Sequence, residues 1–502
     1  MSNINNTESP TSLTQTGVDD SIDKHIEEMN KKHAVLFHSG RTLVINEEHD
    51  PSKGHIKTSY STFEDIKKRY SNTRVVTTSD DGSSKKLPLG HYWLSHPDRK
   101  QYDGIVFMPT THCPDNYYNL WRGFKYEPEQ GDKHYSYLDH IKVNVSQGNE
   151  TIYNYLLDWM ADAVQNIEQK PGVCVCVRGL PGTGKSLFIN AFMELYGQHG
   201  LPVSDPRHIT GNFNAHLQDC LLLNAEEAFW GGSRTGSGIL KTLISETERV
   251  IEQKGKDPIK VNSYTRLMAS TNDSWAFPVE VDDRRYFIID CGSSKRKNRD
   301  YFGNMMKDLE DGGYENLLYE LLHRDISQVD ITDFPMTQAI IENKKYSMNS
   351  IQKFWIDYLK DCDLNPSSWK TTIPVDEIFL FYQAYCCQTP HCKEKSKEEF
   401  GKELRKLVSM EKKRARQGLQ GKQIQQYVFP ELSSCIIELQ KTMGEEPTGT
   451  FQDIKEDPDI TELSMMHAKF DPELAYLDTI PDIDSCSNHN NQMNPSDSDD
   501  IF

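Results

Sequence analysis

The residues with the clearest chemistry are Gly179, Leu180, Pro181, Gly182, Thr183, Gly184, Lys185 and Ser186. They fit G-x-x-x-x-G-K-[ST], a pattern whose glycines let successive backbone N–H groups turn inward around a phosphate. Lys185 would reach the outer phosphates of a nucleoside triphosphate, and the Ser186 hydroxyl would hold Mg²⁺. ATP and Mg²⁺ are therefore the expected small-molecule partners. A strand ending in two acids follows at Cys220 to Glu227. Glu226 suits the Mg²⁺ shell and Glu227 suits orienting or deprotonating an attacking water, and the two roles could be exchanged. Asn272 ends another apolar run, Leu267 to Thr271, where an amide could sense the nucleotide state. Arg284 and Arg285 come next, and either could stabilise transition-state charge in a neighbouring subunit.

These residues need a scaffold. Val173 to Val177 is a β-branched-rich run that predicts a buried strand before the glycine loop. Leu187, Phe188, Ala191, Phe192 and Leu195 recur at helical spacing after it, so the loop joins a strand to a helix N-terminus, whose dipole favours an anion. Upstream, Ile152, Tyr155, Leu156, Trp159, Met160, Ala163, Val164 and Ile167 predict an amphipathic helix. Ala34 to Phe37 and Thr42 to Ile45 flank Ser39-Gly40-Arg41 as a hairpin signal.

The ordered series GLPGTGKS, LLLNAEEAFWGG, ERVIEQKGKDP, LMASTN and DDRRYFIID resembles a superfamily 3 helicase. More closely, it is similar to the helicase part of phage and plasmid primase–helicases, relatives of the poxvirus primase–helicase. Segments around Trp93 to Arg99 and Asn119 to Phe124 are similar to the region preceding the helicase in those proteins, so the resemblance spans about residues 34 to 435. Glu226 stands where many relatives have Asp.

The resemblance implies an α/β chain with a P-loop AAA+-like ATPase core that assembles as a ring, usually a hexamer, and draws single-stranded or forked DNA through its channel. It places the channel hairpin at Glu252 to Pro258, where Lys254 and Lys256 would grip phosphates without reading sequence. The expected divisions are a disordered arm at 1–33, a small α+β domain of unknown role at 34–150, the ATPase core at 151–340, a winged-helix-like basic domain at 346–435 and a disordered acidic tail at 438–502. Two other functions fit the same residues: a ring ATPase that loads or remodels a replication protein without unwinding, and a nucleotide-switched DNA-binding module.

Charge is unevenly distributed. The net charge is −19, but residues from Lys441 onward carry −12 of it. Between Lys393 and Gln423 the balance is +6, with Lys412, Lys413, Arg414 and Arg416 as candidate DNA contacts on a basic hairpin. The last residues, Asp497 to Phe502, resemble the acidic tip of bacterial single-stranded-DNA-binding proteins, which implies docking of a replication protein. A masking role over the basic surfaces is the alternative. Cys386, Cys387, His391 and Cys392 are too closely spaced for a tetrahedral zinc site without a second knuckle, so packing cysteines are expected. The eleven cysteines follow no extracellular pattern, and no run approaches the ~20 apolar residues of a membrane span. A cytoplasmic protein is expected, in the host cell if viral.

Overall fold

The computed structural model describes residues 16–451 except 39, 52–54, 79–83, 110–111, 212, 228–233, 253–257, 274–278, 281–282, 391, 418–421 and 446. The chain is mixed α/β, built on a parallel sheet. Five strands lie in the order Gly200–Val203, Leu222–Glu226, Arg266–Thr271, Cys174–Arg178, Tyr286–Asp290, and every neighbouring pair is parallel. By chain order this reads second, third, fourth, first, fifth. The first strand thus has hydrogen-bonded partners on both sides, and its residues are all buried. Continuous apolar runs such as Val173 to Val177 are what a strand covered on both faces requires.

Helices cover the sheet. The expected amphipathic helix runs Glu150–Gln165, with the Asn149 side chain accepting from Ile152 N at 3.1 Å as its N-cap. Its C-terminus is held by a residue far away in sequence. Arg266 donates to the carbonyls of Asp162, Asn166 and Gln169 at 3.0–3.1 Å, and to the Asp162 carboxylate at 2.6 Å. The guanidinium is 4 % exposed, so one buried cation satisfies the orphan carbonyls of a helix end and pins that helix to the fourth strand.

Two expected boundaries differ from the packing. The arm expected at 1–33 contains the helix Thr16–Lys32, whose Ile26 and Met29 are buried against Trp93 and Val35. Asn30 on it accepts from Trp93 Nε1 at 2.9 Å and Lys100 N at 2.7 Å. A polar average hid these few inward residues. The small domain expected at 34–150 is also not one unit. Phe107, Tyr118, Leu120, Tyr137, Ile141 and Val145 lie in the same core as the parallel sheet. Tyr137 Oη donates to Phe188 O at 2.8 Å, and His199 Nε2 accepts from Arg122 N at 3.2 Å. The strand His33–His38, antiparallel to Arg41–Asp50, is the shared wall. Its alternation sends Ala34 and Leu36 to the large core and Val35 to the small one.

A third core contains Phe354, Trp355, Tyr382, Phe400, Tyr427 and Phe429. It is formed by the helices Ser350–Leu364, Val375–Gln388, Lys397–Leu407 and Leu432–Met443, with a three-stranded antiparallel sheet ordered Thr372–Pro374, Lys422–Val428, Glu411–Gln417. Cys386 and Cys392 lie with their sulfurs 3.0 Å apart. Among the described residues no group of three or more His, Cys, Asp or Glu side chains is arranged to hold a metal ion, and no helix is long and apolar enough to cross a membrane. Residues 452–502, with the acidic segment Asp497 to Phe502, lie outside the described residues.

The Arg266 contact sets a stability test. Arg266→Met leaves the helix-end carbonyls without their donor and the Asp162 carboxylate without its counter-ion, bonded only by Asn166 Nδ2, and lowers the unfolding free energy by about 3–5 kcal/mol. The readout is a lower urea midpoint, and Arg266→Met combined with Asp162→Leu loses less than Arg266→Met alone.

Candidate nucleotide site

The strand Cys174–Arg178 ends at Gly179, and the loop turns through positive φ at Gly182 (+79°) and Gly184 (+95°) before the helix Lys185–Glu194. Gly184 is required twice over. Its φ disfavours a side chain, and a Cβ there would lie 2.7 Å from both His140 and Phe302. The loop is braced from outside. Asn144 Nδ2 donates to Thr183 O at 2.6 Å, and Thr183 Oγ1 donates to Leu180 O at 2.9 Å. Arg178, just before the loop, forms a two-pronged bond to Asp290 at 2.8 Å and reaches Glu342 at 2.9 Å.

Because the strands are parallel, their carboxyl ends open on one edge, where ligands bind in open α/β sheets. Lys185, Ser186, Glu226, Glu227 and Asn272 come together there. Lys185 Nζ donates to Gly179 O at 2.6 Å, Leu180 O at 3.0 Å and Asn272 Oδ1 at 3.0 Å. Burial lowers the pKa of this amine, while Cys291, Glu227 and Glu226 oppose the shift. Ser186 Oγ donates to Glu226, and Asn272 Nδ2 donates to Glu227. Asn272 therefore links the lysine to the second acid. Glu227 has φ of +53°, a left-handed conformation that side chains avoid and that clusters at functional sites. A cleft of about 580 Å³ opens over these groups, walled also by Leu187, Lys297, Arg299 and Phe302.

Arg284 and Arg285 are not in this cleft. They precede the strand Tyr286–Asp290, in which Tyr286 pairs with Cys174 and Asp290 with Arg178. The arginines thus lie at the amino end of the sheet, roughly 15 Å from the loop at ~3.3 Å per residue. Arg285 is held by Asp283 at 3.1 Å and Ser245 at 2.8 Å. Arg284 is exposed and forms no ion pair or side-chain hydrogen bond among the described residues.

The other candidates are dispersed. Lys254 and Lys256 lie outside the described residues, but the hairpin carrying them is seen as Glu248–Ile251 antiparallel to Ile259–Asn262. Asn214 clamps its base, accepting from Glu252 N at 2.8 Å and donating to Val250 O at 2.9 Å. Phe213 beside it is 59 % exposed. Lys412, Arg414 and Arg416 alternate along one face of the edge strand Glu411–Gln417, opposite Tyr427, Gln425 and Gln423. Lys413 points to the other face and pairs with Glu411 at 2.7 Å. Charges on an edge strand also deter sheet-to-sheet association.

Sequence reasoning missed His140, Asn144, Arg178, Cys291, Lys297, Arg299 and Phe302, all of which touch the loop or its cleft. Only Arg178 carried a local signal, as a cation ending a buried strand. The buried His140 ring faces Gly184 O, and burial lowers its pKa from 6.5 to about 4. The unfolded chain takes up this proton first, so the contribution is complete above pH 6.5 and is lost as pH falls toward 4. Thermal melts between pH 7 and pH 4 should show a shallower acid-side fall for His140→Gln than for the unsubstituted chain.

Residues 177–285 match a family of unknown function (DUF5906). The chain is 20% identical over 212 residues to a DNA primase-polymerase of Nitratiruptor phage NrS-1, an alignment covering 41% of this chain and only 28% of that protein. Two apo structures of the NrS-1 C-terminal region superpose with a TM-score of 0.57 at 13% and 14% identity, each covering 81% of this chain and 98% of the other. The chain is thus weakly homologous to a phage primase-polymerase and shares the fold of that protein's C-terminal region.

Proposed function

We propose that the chain is an ATP-dependent DNA helicase of a phage or mobile element, with an AAA+-like core, that acts in DNA replication as a ring. The observation that carries this reading is the convergence of Lys185, Ser186, Glu226, Glu227 and Asn272 at the carboxyl ends of one parallel sheet, with Arg284 exposed at the opposite end. That division suits a site finished by a second copy of the chain. The phage relative supports a replication setting.

The oxygens of Ser186 and Glu226 fit a hard cation such as Mg²⁺. Mg²⁺ would neutralise charge developing on the outer phosphates. Lys185, now occupied by two carbonyls of its own loop, would exchange them for phosphate oxygens. Glu227 would accept a proton from the attacking water, positioned by Asn272. Arg284 suits the role in the neighbour's site better than Arg285, which Asp283 and Ser245 already hold. The hairpin with Lys254 and Lys256 lies between the third and fourth strands in sequence, so movement at Glu226 would reach it through the helix Arg234–Ser245 and movement at Asn272 through the fourth strand. Lys412, Arg414 and Arg416 would contact duplex phosphates on a winged-helix-like module, and the acidic Asp497 to Phe502 segment would dock a replication partner.

Hydrolysis by the purified chain should rise when single-stranded DNA is added, and a forked duplex should be unwound; Lys185→Ala loses both. Stimulation without unwinding favours a loader, and no stimulation overturns the helicase reading. Mixing Arg284→Ala with Lys185→Ala, each inactive alone, should restore part of the hydrolysis, because some interfaces then combine an intact lysine with an intact arginine. A mixture as inactive as its components would remove the shared site.

A further inference from the structure

Two cations in the nucleotide cleft have no part in the account above. Lys297 and Arg299 line the cleft together with Lys185, Glu227 and Asn272. Both are exposed, and neither side chain forms a hydrogen bond or ion pair among the described residues. The segment carrying them is fastened to the phosphate loop. Lys297 N donates to Gly182 O at 2.9 Å, and Arg296 Nε donates to Pro181 O at 3.0 Å. Lys297 itself has φ of +60°, a conformation disfavoured for any residue with a side chain. Its side chain runs so close to Gly182 that a Cβ there would lie 3.3 Å from Lys297 Cγ.

Arg299 opens the ten-residue helix Arg299–Asp308, capped by Asn298, which accepts from Tyr301 N at 3.1 Å. A cation in the first turn of a helix opposes the helix dipole. Here it also faces Lys185 and the amino end of a second helix. Of the carboxylates around the cleft, Asp290 bonds Arg178 and Glu227 accepts from Asn272, while Asp300 follows Arg299 in the same first turn without pairing with it among the described residues. Clustered cations, carried on a segment fastened by backbone bonds and in no ion pair among the described residues, are what an incoming polyanion would balance.

We propose that Lys297 and Arg299 bind the phosphate chain of the nucleotide within the same subunit. On this assignment, which rests on the nucleotide-binding reading above, the chain supplies its own grip on the triphosphate, and a neighbouring copy is needed only for turnover. The two cations act on charge, so their effect grows with the number of phosphates.

The test is equilibrium binding of fluorescent mant-ATP and mant-AMP to the full chain. Lys297→Ala and Arg299→Ala should each weaken mant-ATP about tenfold, as expected for one charge-assisted hydrogen bond. Mant-AMP should change less, Arg299→Lys should retain most of the affinity, and melting temperatures should be unchanged because neither side chain forms a hydrogen bond or ion pair among the described residues. If the unsubstituted chain binds mant-ATP, Lys185→Ala does not, and the combined Lys297→Ala, Arg299→Ala variant binds as well as the original, this proposal is overturned while the nucleotide site stands. If the unsubstituted chain binds no nucleotide, both fail together. Equal losses for mant-ATP and mant-AMP would also overturn it, since they would indicate packing against base or ribose instead of phosphate.

Discussion

The structure depends on one strand being paired on both sides. Cys174–Arg178 lies between the fourth and fifth strands, so its carboxyl end is fixed in the middle of the sheet edge. Everything at the cleft is placed relative to that point. The glycine loop leaves it, Asn272 ends the strand on one side, and Asp290 on the other locks Arg178 at the loop's base. The third strand brings Glu226 within reach of Ser186 from one position further along. The glycine loop has no regular ladder of its own to hold it. Its carbonyls and flanks are instead held by Asn144, His140 and the segment after the fifth strand.

The same parallel arrangement separates two sets of charged groups. Residues at the carboxyl ends meet in the cleft, and residues at the amino ends are about a strand length away. Arg284 and Arg285 follow Asn272 closely in sequence, yet the return path between the fourth and fifth strands carries them to the opposite end of the sheet. Proximity in sequence here means separation in space.

A few polar contacts between residues far apart in sequence tie the elements together. Arg266 closes the end of the helix Glu150–Gln165, Asn30 holds the turn around Trp93 to Lys100, and His199 joins Arg122 to the sheet edge. Each bonds backbone or indole groups, most of them buried or part-buried.

Sequence by itself determined the local elements. The glycine loop, the apolar strands before Gly179, Glu226 and Asn272, the helix after Ser186 and the hairpin at Gly40 follow from φ preferences and from hydrophobic periods of two and 3.6, which act over a few residues. It also identified Lys185, Ser186, Glu226, Glu227 and Asn272 as candidates, because their motifs are contiguous with those elements. Tertiary structure alone decided that these five meet, that Arg284 and Arg285 lie apart from them, and that residues 103–150 pack with the sheet. It alone revealed His140, Asn144, Lys297, Arg299 and Phe302 around the loop. These residues come from segments tens to more than a hundred positions away, and no periodicity encodes which of them will face a glycine. The helix Thr16–Lys32 was hidden for a related reason: two buried side chains, Ile26 and Met29, suffice to dock it when Trp93 is already waiting, and so few leave no pattern in composition.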